Sequence, residues 1–292
     1  MITFTKIGSL GRLGNQMFQY AALRGLSLKN GYEVKIPNPK SRAWQGQKCL
    51  LDEFNIEASY LEISDLKNII RRYNEPSWKA IDKNFFNILD NADISGFFQS
   101  TFYFEEFTEN IKQELKPKKR HIQKNKMFID EIKNKYPEYE LVSVHVRRGD
   151  NTQGLNSGVA SQIYPKIYDK KGLYFQYFEK AKKMFEKKKV KYIVFSGGAR
   201  GGEDNKSDID WCKSTFKGDD YIFSDGCEPL DDFCRIMLCD HNIMCHISSF
   251  GWWAAFLNEN ENKIVTAPKF YHPEDQSLIR TKFYPKEFKI IE

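Results

Sequence analysis

The sequence predicts a doubly wound α/β protein, and three observations carry that expectation. The chain opens strand–helix–strand, over residues 2–8, 14–31 and 32–37. Apolar strand-like runs then alternate with helical runs from residue 141 to residue 268. Between the two regions lies a basic, polar run at 116–126. Strand–helix–strand units need crossovers, and crossovers make a sheet parallel. The run divides the chain into an N-terminal domain, residues 1–122, and a C-terminal domain, residues 123–292.

In order, "ITFTKIG" (2–8) reads as a strand. "GNQMFQYAALRGLSLKNG" follows as a helix, with Met17, Ala21 and Leu28 near one face, Phe18 and Leu26 beside it, and Gly31 as C-cap. "YEVKIP" (32–37) alternates as a second strand. Residues 38–135 carry no clear period. After them come strand 141–146, helix 173–189 with Tyr174, Phe178, Ala181 and Phe185 on one face, strand 191–196 and a short helix near 207–214. Strand 220–224, helix 229–239 with Pro229 in its first turn, strand 242–247, helix 250–258 and strand 263–268 complete the series. Sheets of this kind bind ligands at the carboxyl ends of their strands. His145, Ser196, Ser224 and Ser248 lie at or near such ends.

With 292 residues, 41% apolar and 15% aromatic, the chain can bury cores for two domains, and disorder is not the default. Lys and Arg number 45 against 39 acids, a net charge of +6, concentrated in "KPKKRHIQKNK" (116–126) and "KKMFEKKKVK" (182–191). Such runs are ordinarily solvated faces. Their functional reading is an anionic partner: nucleotide, nucleic acid or membrane surface. The start carries no signal-like cleavage site, and no stretch approaches the roughly 18 apolar residues of a span. The expectation is a cytoplasmic protein whose one membrane contact would be peripheral, at the anionic inner-membrane surface. Cys227, Cys234, Cys239 and Cys245 cluster, but their gaps are not those of a zinc site, so buried free thiols are expected.

Four segments could carry chemistry. "HVRRGD" (145–150) ends a strand, so His145 and Arg147 share a face. An arginine fork matches phosphate, Gly149 allows close backbone approach, and Asp150 could orient an arginine or accept a proton. The bland reading is a strand-end salt-bridge cluster. "GSLGRLGNQMFQYA" (8–21) sets three glycines before a helix N-terminus, which favours anions, yet its spacing is neither a dinucleotide fingerprint nor a P-loop. "CHISSFGWWAAFLN" (245–258) places Ser248 and Ser249 where a helix begins, as caps or as phosphate ligands. "EPLDDFCRIMLCDHN" (228–242) puts Asp231 and Asp232 in a first helical turn, where they offset the dipole or accept from guanine.

"GRLGNQMFQYA", "HVRRGD", "SDIDWCK" and "HISSFGWWAAFLN…KIVTAPKFY", in this order, resemble the bacterial α-1,2-fucosyltransferases, within a wider group sharing the His-x-Arg element. The match spans the chain. The resemblance implies a GT-B type α/β fold, two Rossmann-like domains with parallel sheets facing a cleft. It implies an inverting transfer of L-fucose from GDP-β-L-fucose to the 2-hydroxyl of a terminal β-galactoside, with no metal or other cofactor and no nucleic-acid partner. By motif, His145 and Arg147 contact GDP, Arg147 on the β-phosphate, and Arg148 belongs to the donor site. Ser248, Ser249 and Phe250 lie along the pyrophosphate. Asp232 faces guanine, with Asp231 as the neighbouring alternative. Gly14, Asn15 and Gln16 lie near the sugar, and Asp150 is the candidate base. The chain departs from the family where Ile247 replaces Asn, Gly251 replaces Ser, Asn151 replaces Tyr, and a Gly-rich insertion at 197–206 precedes Asp208 and Trp211. Two other readings stand beside this one: a transferase of another nucleotide sugar on the same fold, and a non-catalytic nucleotide- or RNA-binding protein.

Overall fold

A computed structural model describes residues 1–44, 46–77, 80–149, 172–197, 206–226, 228–246, 248–269 and 283–292. The chain divides into two compact units, Met1–Lys118 with Arg280–Pro285, and Lys119–Ile279 with Lys286–Glu292. The division falls inside the basic run. Past Lys118 that run is the opening of a helix, Lys119–Lys135, with Asn125, Ile129 and Ile132 buried.

The first unit contains strands β1 (Ile2–Thr3), β2 (Val34–Ile36), β5 (Ser59–Tyr60), β6 (Arg71–Asn74) and β7 (Ala92–Ser95), and a small hairpin of β3 (Ala43–Trp44) and β4 (Gln47–Lys48). Its sheet runs β5-β2-β1-β7-β6 with every pair parallel. Strand β1 is shorter than the alternation over 2–8 implies, because Gly8 turns the chain at φ +77°. A Cβ there would lie 2.8 Å from both the Arg42 and the Cys49 Cβ atoms, so only glycine fits under the root of the hairpin.

Helix α1 (Leu13–Asn30) ends on Gly31 in the left-handed conformation, whose N–H donates to the Ser27 carbonyl. It is buried on nearly all sides rather than on one stripe. The cause is visible at Gly25, where an added Cβ would sit 2.1 Å from the Tyr103 carbonyl oxygen. The 101–104 segment thus lies directly on a helix face that the sequence pattern leaves open. Beneath it, Phe85, Phe98 and Tyr103 form an aromatic cluster with centroids 4.8–5.3 Å apart. Helix α2 (Thr108–Glu114) supplies buried Glu114, which accepts from Tyr20 and Arg24 of α1.

The second unit opens with helix α3 (Lys119–Lys135) and then alternates: β8 (Glu140–Arg147), α4 (Leu173–Lys182), β9 (Val190–Gly197), α5 (Lys206–Thr215), β10 (Tyr221–Phe223), α6 (Pro229–Leu238), β11 (His241–Ile243), α7 (Ser249–Phe256), β12 (Val265–Pro268) and β13 (Lys289–Ile291). Its parallel sheet runs β10-β9-β8-β11-β12-β13. Counted from β8, this is the 3-2-1-4-5-6 order of a Rossmann sheet, whose direction reverses between the first and fourth strands. The two units are the parallel-sheet halves from which a GT-B type chain is built.

Val142, Val144, Val146, Ile243 and Cys245 meet Tyr174, Phe178, Ala181 and Phe185 in one core. Helix α4 is shorter than the 173–189 expectation, since it tightens into a 3-10 turn at Lys183–Phe185. Much of the neighbouring lysine run is paired: Lys188 with Glu140, Lys189 with Glu138, and Lys191 with Asp220. Cys49, Cys212, Cys234, Cys239 and Cys245 are buried free thiols, as expected, and Cys227 lies outside the described residues. Among the described residues, no helix is long and apolar enough to cross a membrane.

Gly25→Ala is expected to cost about 1–3 kcal/mol, since the methyl group overpacks against backbone that has no rotamer to yield. A thermal melt checks this; an unchanged midpoint would mean that the 101–104 segment does not lie on α1.

Candidate active site at the carboxyl ends of the second sheet

Strand β8 pairs with β9 to its last residue, Arg147 opposite Gly197. Its register with β11 runs only from Val142 to Val144. Residues 145–147 therefore project past the β11 pairing at the point where strand order reverses, the place where open α/β sheets bind ligands.

His145 is 6% exposed there. Burial, with the nearby Arg147 charge adding to it, pulls its pKa down to about 3. The imidazole is thus neutral at physiological pH. Its Nδ1 lies 3.5 Å from the Cys245 Sγ. The ring tilts against Phe250 at 5.7 Å, and the Tyr174 hydroxyl donates to the His145 carbonyl. A Cβ at Gly251 would fall 2.4 Å from Nδ1, so in this chain the imidazole packs directly on the glycine.

Arg147 follows on the same face of β8. Its Nη1 donates to the carbonyls of Gly197 at 2.8 Å and Arg148 at 3.0 Å, which fixes the guanidinium plane. Arg148 turns toward α5: its Nε donates to Asp208 Oδ1 at 3.2 Å, and its Cζ lies 3.8 Å from the Trp211 ring centroid. Gly149, at φ +55°, donates its N–H to Asp208 Oδ2 at 3.0 Å. Burial pushes the Asp208 carboxyl above its usual range, with Arg148 the largest opposing influence. Asp208 and Trp211 share a helix face by their three-residue spacing, but no local pattern names Arg148 as their partner.

Across the reversal point, Ser248 caps α7, its Oγ accepting from the Gly251 N–H at 3.2 Å. No acidic side chain sits in the first turn of α7, so its dipole favours an anion. Ser249 and Phe250 are half-buried in that turn. Phe250 also touches Phe233 of α6 at 5.4 Å, which links this helix to the one that carries the two aspartates.

Those aspartates are held differently. Asp231 accepts from Lys124 Nζ at 2.8 Å and Asn125 Nδ2 at 2.9 Å, so it ties α3 to α6. Asp232 accepts from the Ser224 Oγ at 2.7 Å, and that hydroxyl accepts from Arg235 Nη1 at 2.9 Å. The sequence reading had not anticipated Lys124, Asn125, Ser224 or Arg235 as partners. Asp150 and residues 198–205 of the Gly-rich insertion lie outside the described residues.

In the first unit, Gly14, Asn15 and Gln16 form the first turn of α1. Buried Gln16 donates to the Gly11 carbonyl and accepts from the Leu50 N–H. Asn15 accepts from Gln99 Nε2 at 2.6 Å, joining the helix that follows β1 to the loop after β7. These are the neighbouring strands at which this sheet changes direction. Among the described residues no three His, Cys, Asp or Glu side chains gather as a metal set.

The model of glycosyl transferase family 11 matches residues 2–292. The chain belongs to that family. Galactoside α-(1,2)-fucosyltransferase 2 of Oryctolagus cuniculus is 26% identical over 275 residues, 90% of this chain and 70% of that protein. An α-1,2-colitosyltransferase of Escherichia coli is 25% identical over 285 residues, 88% of this chain and 89% of that protein. A solved NodZ α-1,6-fucosyltransferase soaked with GDP-fucose aligns with a TM-score of 0.48 at 14% identity, covering 88% of this chain and 91% of that one. Family 11 membership bears out the resemblance read from the four motifs.

Acid sensitivity follows from two buried imidazoles of this family 11 chain. His145 stays neutral down to about pH 3, and His246, 5% exposed and with no partner for its Nδ1 among the described residues, down to about pH 4. In the unfolded chain both take up protons near 6.5, so between these limits the unfolded state binds more protons and stability falls as pH drops. Each is expected to cost roughly 2 kcal/mol between pH 6.5 and 5. Denaturant titrations at the two pH values, with His246→Asn losing less than the parent chain, check this. Equal losses in both would remove His246 from the account.

Proposed function

We propose that this chain transfers L-fucose from GDP-β-L-fucose to the 2-hydroxyl of a terminal β-galactoside, with inversion and without a metal. One observation carries the reading. His145 and Arg147 end β8 at the reversal point of a Rossmann-ordered sheet, Arg148 follows, and His145 packs against Phe250 and Gly251 in the N-terminal turn of α7. That is a seat for a pyrophosphate, and membership of family 11 supplies the sugar chemistry.

When a nucleotide-sugar bond breaks, negative charge grows on the β-phosphate. An arginine oriented beforehand stabilises that charge more than it stabilises the ground state. Arg147, its guanidinium held by two carbonyls, takes this role, and neutral His145 hydrogen-bonds GDP without competing for charge. Ser248, Ser249 and Phe250 line the pyrophosphate. Gly14, Asn15 and Gln16 serve the sugar by family resemblance, and Asp150 is assigned the acceptor proton. Asp232, rather than Asp231, accepts from guanine, because both Asp231 oxygens already bind Lys124 and Asn125.

A second donor has specific support, since the colitosyltransferase matches along nearly its whole length. Colitose is fucose without its 3-hydroxyl, so a pocket that bonds that hydroxyl prefers fucose, and an apolar one prefers colitose. Incubation with GDP-fucose or GDP-colitose and a panel of galactosides, with EDTA present, tests all parts. The expected result is an α-1,2-fucoside by NMR at unimpaired rate. Transfer from GDP-colitose alone would move the donor. Chelation that stops turnover would introduce a metal. Binding of UDP or single-stranded RNA as tight as GDP would favour the other readings.

Asp232→Asn is expected to weaken GDP about tenfold, because the amide sets an N–H₂ against one guanine donor, a mismatch of about 1–3 kcal/mol. Preference for GDP over IDP, which lacks the 2-amino group, shrinks with it. Calorimetric titration of both nucleotides decides the point; an unchanged ratio would take guanine off this helix.

A further inference from the structure

Asp208 touches two consecutive residues of the "HVRRGD" segment with two different oxygens. Oδ1 holds the Arg148 side chain at 3.2 Å and Oδ2 holds the Gly149 N–H at 3.0 Å. That N–H belongs to the same peptide group as the Arg148 carbonyl, which accepts from Arg147 Nη1 at 3.0 Å. One peptide plane thus carries Asp208 on one side and Arg147 on the other. Trp211 closes the arrangement from the same helix as Asp208, the Arg148 Cζ lying over its ring at 3.8 Å from the centroid. Asp208 is 5% exposed and Arg148 15%, so the pair is sheltered from the screening that weakens surface ion pairs. Among the described residues, no protein acceptor meets the Arg148 Nη atoms, while its Nε and its ring face are both engaged.

We infer that Asp208 and Trp211 are positioning residues that set both arginines against the departing diphosphate: Arg148 through its side chain, and Arg147 through the 148–149 peptide. The inference rests on the proposed diphosphate-leaving reaction. Neither residue touches the reacting atoms. Asp208 fixes where the guanidinium groups point before charge develops. Trp211 holds the Arg148 guanidinium against its ring, which limits where the Nη groups can point. Gly149 turns the chain at φ +55° immediately after the peptide whose N–H the carboxylate holds.

The test is a double-mutant cycle with a separate probe of the clamp. Amide hydrogen exchange at Gly149 is expected to quicken at least about tenfold in Asp208→Asn, since loss of one charge-assisted bond is worth that much protection. This readout needs no turnover, so it judges the clamp even where the proposed reaction fails, and that failure shows itself in the unmutated chain. For turnover, Asp208→Asn is expected to lower kcat about a hundredfold with little change in KM for the donor. In an Arg148→Ala background the same substitution costs clearly less, because one of its two routes is gone. Trp211→Phe keeps a ring under the guanidinium and stays near normal, whereas Trp211→Ala loses about tenfold. Equal cost of Asp208→Asn with and without Arg148 would overturn the inference. So would unchanged Gly149 exchange, or equal loss in the two Trp211 variants.

Discussion

The pairing of β8 decides where everything else in the second unit can go. It is the central strand, hydrogen-bonded to β9 along its whole length and to β11 over only three residues. Its side chains from Leu141 to His145 are buried on both faces, so the strand has no freedom to slip. A one-residue shift would exchange His145 with Val146 and bury a histidine in the α4 core. Register therefore specifies the site: the core needs Val142, Val144 and Val146 on one side, and His145 and Arg147 go to the other as a consequence.

Electrostatically, the site gathers two arginines and one neutral imidazole at a single strand end. Arg147 is tied to carbonyl oxygens, and the nearby His145 is kept uncharged by burial. Arg148 meets the Asp208 carboxylate through Nε, and among the described residues no protein acceptor meets its Nη atoms. Carbonyl dipoles orient the Arg147 fork through Nη1, and an oriented fork serves a developing negative charge better than a mobile one.

The sequence made the strand ends legible and the partnerships between them illegible. His145, Arg147 and Ser248 were identifiable because apolar strands stop at them, and a strand end is a local signal. Helices α1 and α4 were identifiable from residues recurring on one helical face, and α6 from Pro229 in its first turn. Strands β5, β6, β7 and β13 are two to four residues long, too short for any alternation to show. Helix α3 hid within a lysine-rich run, its core face marked only by Ile129, Ile132 and an asparagine. The Asp208–Arg148 contact joins residues 60 apart and depends on how α5 lies against the end of β8, which no local pattern encodes. Choosing between Asp231 and Asp232 likewise required Lys124 and Asn125, more than 100 residues away.

The central claim is that an oriented fork at the end of β8, and not positive charge alone, stabilises the leaving diphosphate. Arg147→Lys separates the two, since lysine keeps the charge and loses the planar pair of donors. The measurement is the single-turnover rate at saturating donor in a variant whose circular dichroism and melting midpoint match the parent chain. The account predicts a fall on the order of 10²–10³, the usual consequence of losing one preorganised donor at a developing charge. Single-turnover transfer at a near-parental rate would contradict it.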